Sequence, residues 1–404
     1  MIARNSCSIR WSSPVKSLGL VISHSSQFSV DIGSILSQYQ PTSLTAHRIL
    51  RSIFGIWRNT IRTRKLPHTD VEVSCLGFGL SGLPSWSPGP IRNEDVDAVE
   101  RLMRSAFETG ITLFDTASPY ALGRSESVMG RVFKQAPELR AKSLVQTKCG
   151  QIICDDDGNP VPPRIDLSRN EIISSAERSL RRLCIDRLDI LLLHQPTPLM
   201  QADEIAEAFA ELSRCGKVRH FGLSNFTATQ STMIQRVTEQ RLVINQVQIS
   251  LFNPRHILDG MGATLSILEH LDLVHQRLID AAPEWSSVRR WMPPAEGLLD
   301  YCQSEGILIQ AWSPLRHRLP GAYQPLKNFG ALDSAIEHIA RELGSTPSAV
   351  ALAWLLKHPG GIVPIMSTSN ADHLIENAKA VDITLTDQDW YSLIRESVRA
   401  IEKE

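Results

Sequence analysis

Three times along this chain a glycine stands between the end of an amphipathic stretch and a short apolar run. Glu108-Thr109-Gly110 leads into Ile111-Thr112-Leu113-Phe114-Asp115, and Arg214-Cys215-Gly216 into Lys217-Val218-Arg219-His220-Phe221-Gly222-Leu223-Ser224. Ser304-Glu305-Gly306 leads into Ile307-Leu308-Ile309-Gln310-Ala311-Trp312. Glycine supplies the left-handed residue that ends a helix, so each unit reads as helix end, turn and buried strand. Strands that are apolar at nearly every position belong in a sheet covered on both faces, and alternation with helices makes that sheet parallel.

Helical spacing of Val96, Val99, Met103 and Ala106, of Ile172, Ile173, Ala176, Leu180 and Leu183, and of Ile205, Phe209 and Leu212 supplies the covering faces. Val71 to Gly79 reads as one strand entering a glycine turn. Eight candidate strands fall near Leu76, Leu113, Val145, Leu192, Phe221, Gln246, Ile309 and Val363. The expected class is α/β and the expected fold a (β/α)8 TIM barrel. A doubly wound open sheet is the alternative, but no G-x-G-x-x-G follows any strand.

Polar residues cluster where apolar runs stop: Asp115 with Tyr120, then Lys148, then His194. An ionisable group at the end of a buried strand needs a partner or a purpose, and barrel enzymes carry their chemistry at the carboxyl ends of the strands. Together these four side chains suit protonation of a developing alkoxide. A phenol with a pKa of about 10 needs a cation beside it, which Lys148 supplies and Asp115 holds, while His194 orients or relays. None of them can donate hydride, so a nicotinamide cofactor is implied.

Composition narrows the setting. Of 404 residues 42% are hydrophobic and 21% charged, with net charge -1, which gives no hint of a nucleic-acid partner. No apolar run approaches the roughly 20 residues of a membrane helix. Residues 1–69 hold nine Lys and Arg against the single acid Asp31. The first 65 residues read as a basic, Ser-rich extension, either an unstructured tail or a targeting segment. Ile49, Leu50, Ile53, Phe54, Trp57 and Ile61 share one helical face among arginines. Residues 66–404 form the barrel, interrupted by an insertion at about 261–296 that reads as a mouth-covering loop, a surface excursion or retained intron sequence. Seven scattered cysteines without metal spacing point to reduced thiols and no metal. The expected location is cytoplasmic, with mitochondrial import as the alternative; oligomeric state stays open.

Read in order, the motifs resemble the aldo-keto reductase superfamily, and its bacterial-type members in particular. They are Gly110 to Ala117 with Tyr120, Ser125-Glu126-Ser127-Val128-Met129-Gly130, Thr147-Lys148-Cys149-Gly150, Leu191-Leu192-Leu193-His194, Gly216 to Phe226, Asn245-Gln246-Val247 and Ala311-Trp312-Ser313-Pro314-Leu315. The resemblance runs from about Val71 to Val381. It implies that Asp115, Tyr120, Lys148 and His194 form the catalytic tetrad, and that Ser224, Asn225 and Gln246 bind the nicotinamide carboxamide. It further implies that Trp312 stacks on the nicotinamide ring, that Ser313 and Leu315 span the pyrophosphate, and that Ser367, Thr368, His373 and Asn377 form the adenosine-phosphate pocket. The implied activity is hydride transfer between NAD(P)H and a small aldehyde or ketone, or the reverse; a regulatory module that binds cofactor with little turnover is the alternative. Two departures stand out. Arg316 and His317 replace glycines common in the pyrophosphate loop, and Ser367 and His373 stand where the family often has Lys or Arg for the 2′-phosphate of NADP. The resemblance makes NADP the expected cofactor, and the second departure leaves NAD open.

Overall fold

The computed structural model describes residues 61–81, 90–155, 159–259, 297–315 and 330–402. The insertion at 261–296, Arg316, His317 and nearly all of the N-terminal extension lie outside the described residues. Eight strands form the closed barrel: β1 (Gly77–Gly79), β2 (Leu113–Asp115), β3 (Leu144–Cys149), β4 (Leu188–Leu193), β5 (Val218–Ser224), β6 (Leu242–Gln248), β7 (Leu308–Trp312) and β8 (Val363–Met366). Each pairs in parallel with its sequence neighbours, and Ile365 opposite Gly77 closes the ring from β8 to β1. The eight strand positions expected from the sequence fall in or beside these strands, and the open-sheet alternative is excluded by the closure.

Helices follow the strands: α1 (Asn93–Thr109), α2 (Arg124–Gln135), α3 (Arg169–Leu183), α4 (Ala202–Arg214), α5 (Ala228–Gln235), α6 (Leu298–Glu305), α7 (Ala331–Glu342), α8 (Pro347–Leu356), α9 (Ala371–Ala378) and α10 (Asp387–Glu402). The turn glycines behave as their spacing demands: Gly110, Gly216 and Gly306 take φ of 95°, 67° and 65°, the left-handed region that favours glycine. The expected apolar faces bury Val96, Val99, Met103 and Ala106 on α1 and Ile205, Phe209 and Leu212 on α4. These belong to the core between barrel and helices, in which Phe209 stacks on Phe221 at 4.2 Å.

The interior of the barrel is a separate apolar cluster that includes Leu113, Leu144, Ile190, Leu192, Ile244, Leu308, Val363 and Ile365. Leu66 and Val73 join it from outside the ring, both fully buried. They come from an antiparallel hairpin in which Thr63–Lys65 pairs with Glu72–Ser74. Here the structure corrects the sequence reading twice. The single strand expected over 71–79 breaks at Cys75 and Leu76, because the Ser74 hydroxyl donates to the Leu76 carbonyl at 2.6 Å and accepts from the Thr112 amide. The chain thereby leaves the hairpin and re-enters as β1. Thr63–Lys65, assigned to the extension, is the outer strand of that hairpin, and Ile61 is already in the core. Arg62 and Arg64 fix the hairpin to the far end of the chain by donating to the carbonyls of Val381 and Gly361.

Candidate active site

Period-two alternation along parallel strands stacks the inward residues in layers. Leu113 lies opposite Leu144 and Ile244 opposite Leu308; two residues further on, Asp115 lies opposite Gln146 and Gln246 opposite Gln310. One more step brings Lys148 on β3 and Trp312 on β7 to the carboxyl ends. The polar residues that the sequence places at run ends therefore sit at one mouth of the barrel.

Lys148 is fully buried and donates through Nζ to Asp115 Oδ2 at 2.7 Å, to the Thr116 carbonyl at 3.0 Å and to the Tyr120 hydroxyl at 3.3 Å. Burial alone would lower its pKa, but Asp115 and the Tyr120 oxygen outweigh that and raise it, so the ammonium persists. Half-buried Tyr120 is pushed above the ordinary phenol value by burial, against the pull of the Lys148 charge. Burial and the same charge push His194 down to about 3, so its imidazole is neutral. The Tyr120 and His194 rings meet edge to face at 5.8 Å, and His194 Nδ1 is buried without a partner among the described residues. A buried N–H without an acceptor is the costlier orphan, so the proton belongs on Nε2.

Tyr120 enters a tight left-handed turn. Ala121, Leu122 and Gly123 have φ of 50°, 57° and 85°, a run that L-residues rarely adopt. A β-carbon on Gly123 would come within 3.2 Å of the Arg182 side chain. Arg182 reaches over the turn to Glu126, which is wholly buried and also accepts from the Thr147 hydroxyl at 2.6 Å. The Ser125–Gly130 motif thus braces the residue before Lys148, a role the sequence reading did not give it.

On the opposite side Asn225, itself left-handed at φ 66°, joins three implied site residues. Its Nδ2 donates to the His194 carbonyl at 3.1 Å and the Ser224 hydroxyl at 3.0 Å, and its Oδ1 accepts the Trp312 indole N–H at 2.9 Å. Gln246 faces inward instead, its Nε2 donating to Asp115 Oδ1 at 3.1 Å and Gln310 Oε1 at 2.8 Å. Gln146 and Gln310 complete this buried layer and were missed from the sequence. The signal was available: two glutamines in otherwise apolar strands, each two residues before a mouth residue, must find buried partners.

Ser313 (φ 48°) and half-buried Leu315 follow Trp312. Trp312 pairs with Ile365 on β8, which brings Ser367 to the neighbouring strand end. Its hydroxyl is buried without a partner among the described residues. Thr368 exchanges hydrogen bonds with Asn370, and Asn370 caps α9 by accepting from the Asp372 amide at 2.8 Å. Asn377 is buried and His373 exposed. Among the described residues no three metal-ligating side chains converge, six cysteines are free and no helix is long and apolar enough to cross a membrane.

The closed all-parallel barrel is shared with known proteins. The model of the aldo/keto reductase family matches residues 75–261 and 277–397. The chain is 30% identical over 328 residues to the 6-dehydroglucose reductase of Agrobacterium fabrum, covering 80% of this chain and 94% of that one. It is 32% identical over 290 residues to oxidoreductase YdhF of Escherichia coli, covering 71% and 83%. Among solved structures, a thermostable aldo-keto reductase bound to the inhibitor epalrestat superposes with a TM-score of 0.61 at 25% identity, over 83% of this chain and all of that one. An aldo-keto reductase of Klebsiella pneumoniae in complex with NADPH gives 0.60 at 23% identity, over 83% and 95%. The chain belongs to the aldo/keto reductase family and is an NAD(P)-dependent oxidoreductase.

Proposed function

We propose that this protein reduces a small aldehyde or ketone with NAD(P)H, Tyr120 serving as the proton donor. The observation that carries this reading is the buried chain Asp115–Lys148–Tyr120, with contacts of 2.7 and 3.3 Å. Burial keeps the phenol protonated in the resting site, so a proton is available to give. As the proton leaves for the carbonyl oxygen, the negative charge left on Tyr120 faces the Lys148 ammonium. That attraction grows during transfer and is absent before it, so it lowers the barrier rather than merely tightening binding. Asp115 keeps Lys148 charged and in place. Neutral His194, with its proton on Nε2, donates a hydrogen bond to the carbonyl oxygen and orients it for Tyr120.

The polar atoms left open at the strand ends fit a nicotinamide carboxamide. Both Asn225 Nδ2 hydrogens and both Gln246 Nε2 hydrogens are committed within the protein. What stays open among the described residues is one donor, the Ser224 hydroxyl, and two acceptors, Gln246 Oε1 and the second lone pair of Asn225 Oδ1. A primary carboxamide brings one acceptor and two donors. Trp312, half-buried and held by Asn225 through its indole N–H, is the aromatic for the nicotinamide ring to stack on, with Ser313 and Leu315 following it in the chain. Reduced nicotinamide, when bound there, supplies the hydride.

At the adenosine end, Ser367 and Thr368 precede α9, His373 lies in its first turn and Asn377 near its last residue, and the orphaned Ser367 hydroxyl suits a phosphate oxygen. No Lys or Arg lies between Met366 and Ala378, while Asp372 stands in the first helical turn. This charge pattern discriminates weakly for a 2′-phosphate, so NADH is accepted beside NADPH, the cofactor bound by the Klebsiella pneumoniae neighbour. Thermal-shift titration with each nucleotide, then loss of reduced-nicotinamide absorbance on adding aromatic and aliphatic aldehydes, tests the reading. Tyr120→Phe is expected to bind the nucleotide and lose turnover; undiminished turnover in this variant overturns the assignment. Retained nucleotide binding with no turnover of any carbonyl in the wild type would favour the regulatory alternative.

A further inference from the structure

The amino-terminal face of a barrel ordinarily serves stability, yet here it holds a cleft of about 440 Å³. Its walls come from strand starts and from the closing hairpin. Leu144 opens β3, Asp189 and Arg219 are the second residues of β4 and β5, and Glu72 begins the second hairpin strand. Lys148 lies four residues beyond Leu144 on the same strand, about 13 Å away at 3.3 Å per residue. The apolar interior of the barrel fills the space between. The cleft is therefore separate from the mouth that carries Asp115, Tyr120, Lys148 and His194. We propose that it is a binding site for a small phosphate-bearing anion with more than one phosphate group.

Four cations line the cleft, Arg140, Lys142, Arg187 and Arg219, against two carboxylates, Glu72 and Asp189. Asp189 is already committed within the wall. Its Oδ2 accepts from the Val145 amide at 2.9 Å and from Arg140 Nη1 at 3.0 Å. Arg140 also donates to the carbonyls of Ser143 at 3.0 Å and Arg187 at 3.2 Å. This pair cancels in charge and acts as a frame. It ties the end of the short helix Pro137–Lys142 to the start of β4, the two segments that carry Lys142 and Arg187. Both of those side chains are exposed, and neither has an ion-pair partner among the described residues. Arg219 gives one N–H to Asp70 at 2.9 Å, but Asp70 is 84% exposed. A surface pair of that kind is weak, so the rest of the Arg219 fork is open to a stronger anion. The charges not cancelled in the wall are those of Lys142 and Arg187, backed by Arg219 and opposed by Glu72. A cleft with an excess of one sign concentrates ions of the other. Guanidinium forks match phosphate oxygens two at a time, and a lysine adds a point charge. Cations on separate segments suit an anion whose charge is spread over linked phosphates. The volume lies within the range of about 300–1,000 Å³ of small-ligand sites.

The test uses the full chain saturated with NADPH, so that the cofactor's own phosphate pocket is filled. Sodium pyrophosphate is titrated by calorimetry, with sodium chloride of matched ionic strength as the control. Four proteins are compared: the wild type, the double variant Lys142→Ser with Arg187→Ser, Glu72→Gln, and Arg341→Ser, which removes an exposed cation on α7. All of these substitutions fall on exposed side chains, and equal melting temperatures confirm that the fold is kept. The wild type is expected to bind pyrophosphate at one site. The double variant should bind it about tenfold or more weakly, having lost two charge-assisted donors. Glu72→Gln should bind it about twofold or more tightly, because a like charge is removed. Arg341→Ser should stay within about twofold of the wild type, as a remote and screened charge does. Equal affinity in the wild type and the double variant overturns the proposal, as does heat no greater than that of the chloride control. Pyrophosphate that displaces NADPH occupies the cofactor pocket instead, and that result overturns it too.

Discussion

The carboxylate of Glu126, fully buried on α2, accepts from the Arg182 guanidinium of α3 at 2.7 Å across the turn that carries Tyr120. Arg182 is 20% exposed and Glu126 not at all, so removing the arginine strands a buried negative charge whose remaining bond in this pair of contacts is the Thr147 hydroxyl. Arg182→Ala is expected to cost about 3 kcal/mol of unfolding free energy, measured by urea denaturation. A loss below about 1 kcal/mol, the range of a surface pair, would show that the Glu126 carboxylate relaxes toward water.

Ala121 and Leu122 hold a conformation that costs an L-residue roughly 1–2 kcal/mol each. Ala121→Gly removes that strain and deletes a single methyl group, offset by the greater freedom of glycine in the unfolded chain. We expect a net gain of roughly 0.5–1 kcal/mol, with Tyr120 chemistry retained. Gly123→Ala should act oppositely, being both left-handed and against Arg182. Paired denaturation curves decide both; a destabilised Ala121→Gly contradicts the strain argument.

His194 links stability to acidity. Its folded pKa of about 3 lies below the 6.5 of an exposed imidazole, so between those values the unfolded chain binds the extra proton. The contribution of neutral His194 is therefore complete above pH 6.5 and is lost as pH falls toward 3, by about 1.4 kcal/mol per pH unit. His256, also held at about 3 by burial, adds a second proton. Replacing His194 with Asn is expected to flatten the pH dependence of unfolding by one proton in this window; an unchanged slope would show that His194 is already protonated or solvated when folded.

Lys148 lowers the pKa of Tyr120 against the rise caused by burial. Lys148→Met should therefore move phenolate formation at Tyr120 to higher pH, read as the phenolate absorbance present in this variant and absent from its Tyr120→Phe derivative. Carbonyl turnover is expected to fall by about 10²–10⁴-fold, the range for disabling a positioned acid. A phenolate transition at lower pH than wild type would place the controlling charge elsewhere.

Much of this was legible in the residues. Strand positions followed from glycine turns and apolar runs, and Asp115, Tyr120, Lys148 and His194 stood out because ionisable groups at strand ends are costly. The hairpin was not legible, because the break at Cys75 depends on the Ser74 hydroxyl reaching Leu76 and Thr112. The amide layer escaped for a related reason. Gln146 and Gln310 acquire meaning only when 164 residues of chain bring them within 3.0 Å. Gln246 was singled out for the cofactor alone, and its bond to Asp115 appears only when β2 and β6 face each other across the barrel.

The plug formed by Leu66 and Val73 imposes an order on how the molecule is made. The hairpin and β1 leave the ribosome before every other strand of the barrel, yet β1 waits for β8, and Arg62 and Arg64 wait for the carbonyls of Val381 and Gly361. At about 5–20 residues per second, the segment from 61 to 79 spends on the order of fifteen seconds to a minute with apolar side chains and strand edges unsatisfied. Ring closure is thus a late, long-range event of the kind that slows folding, and this early segment is where a nascent chain is most in need of protection.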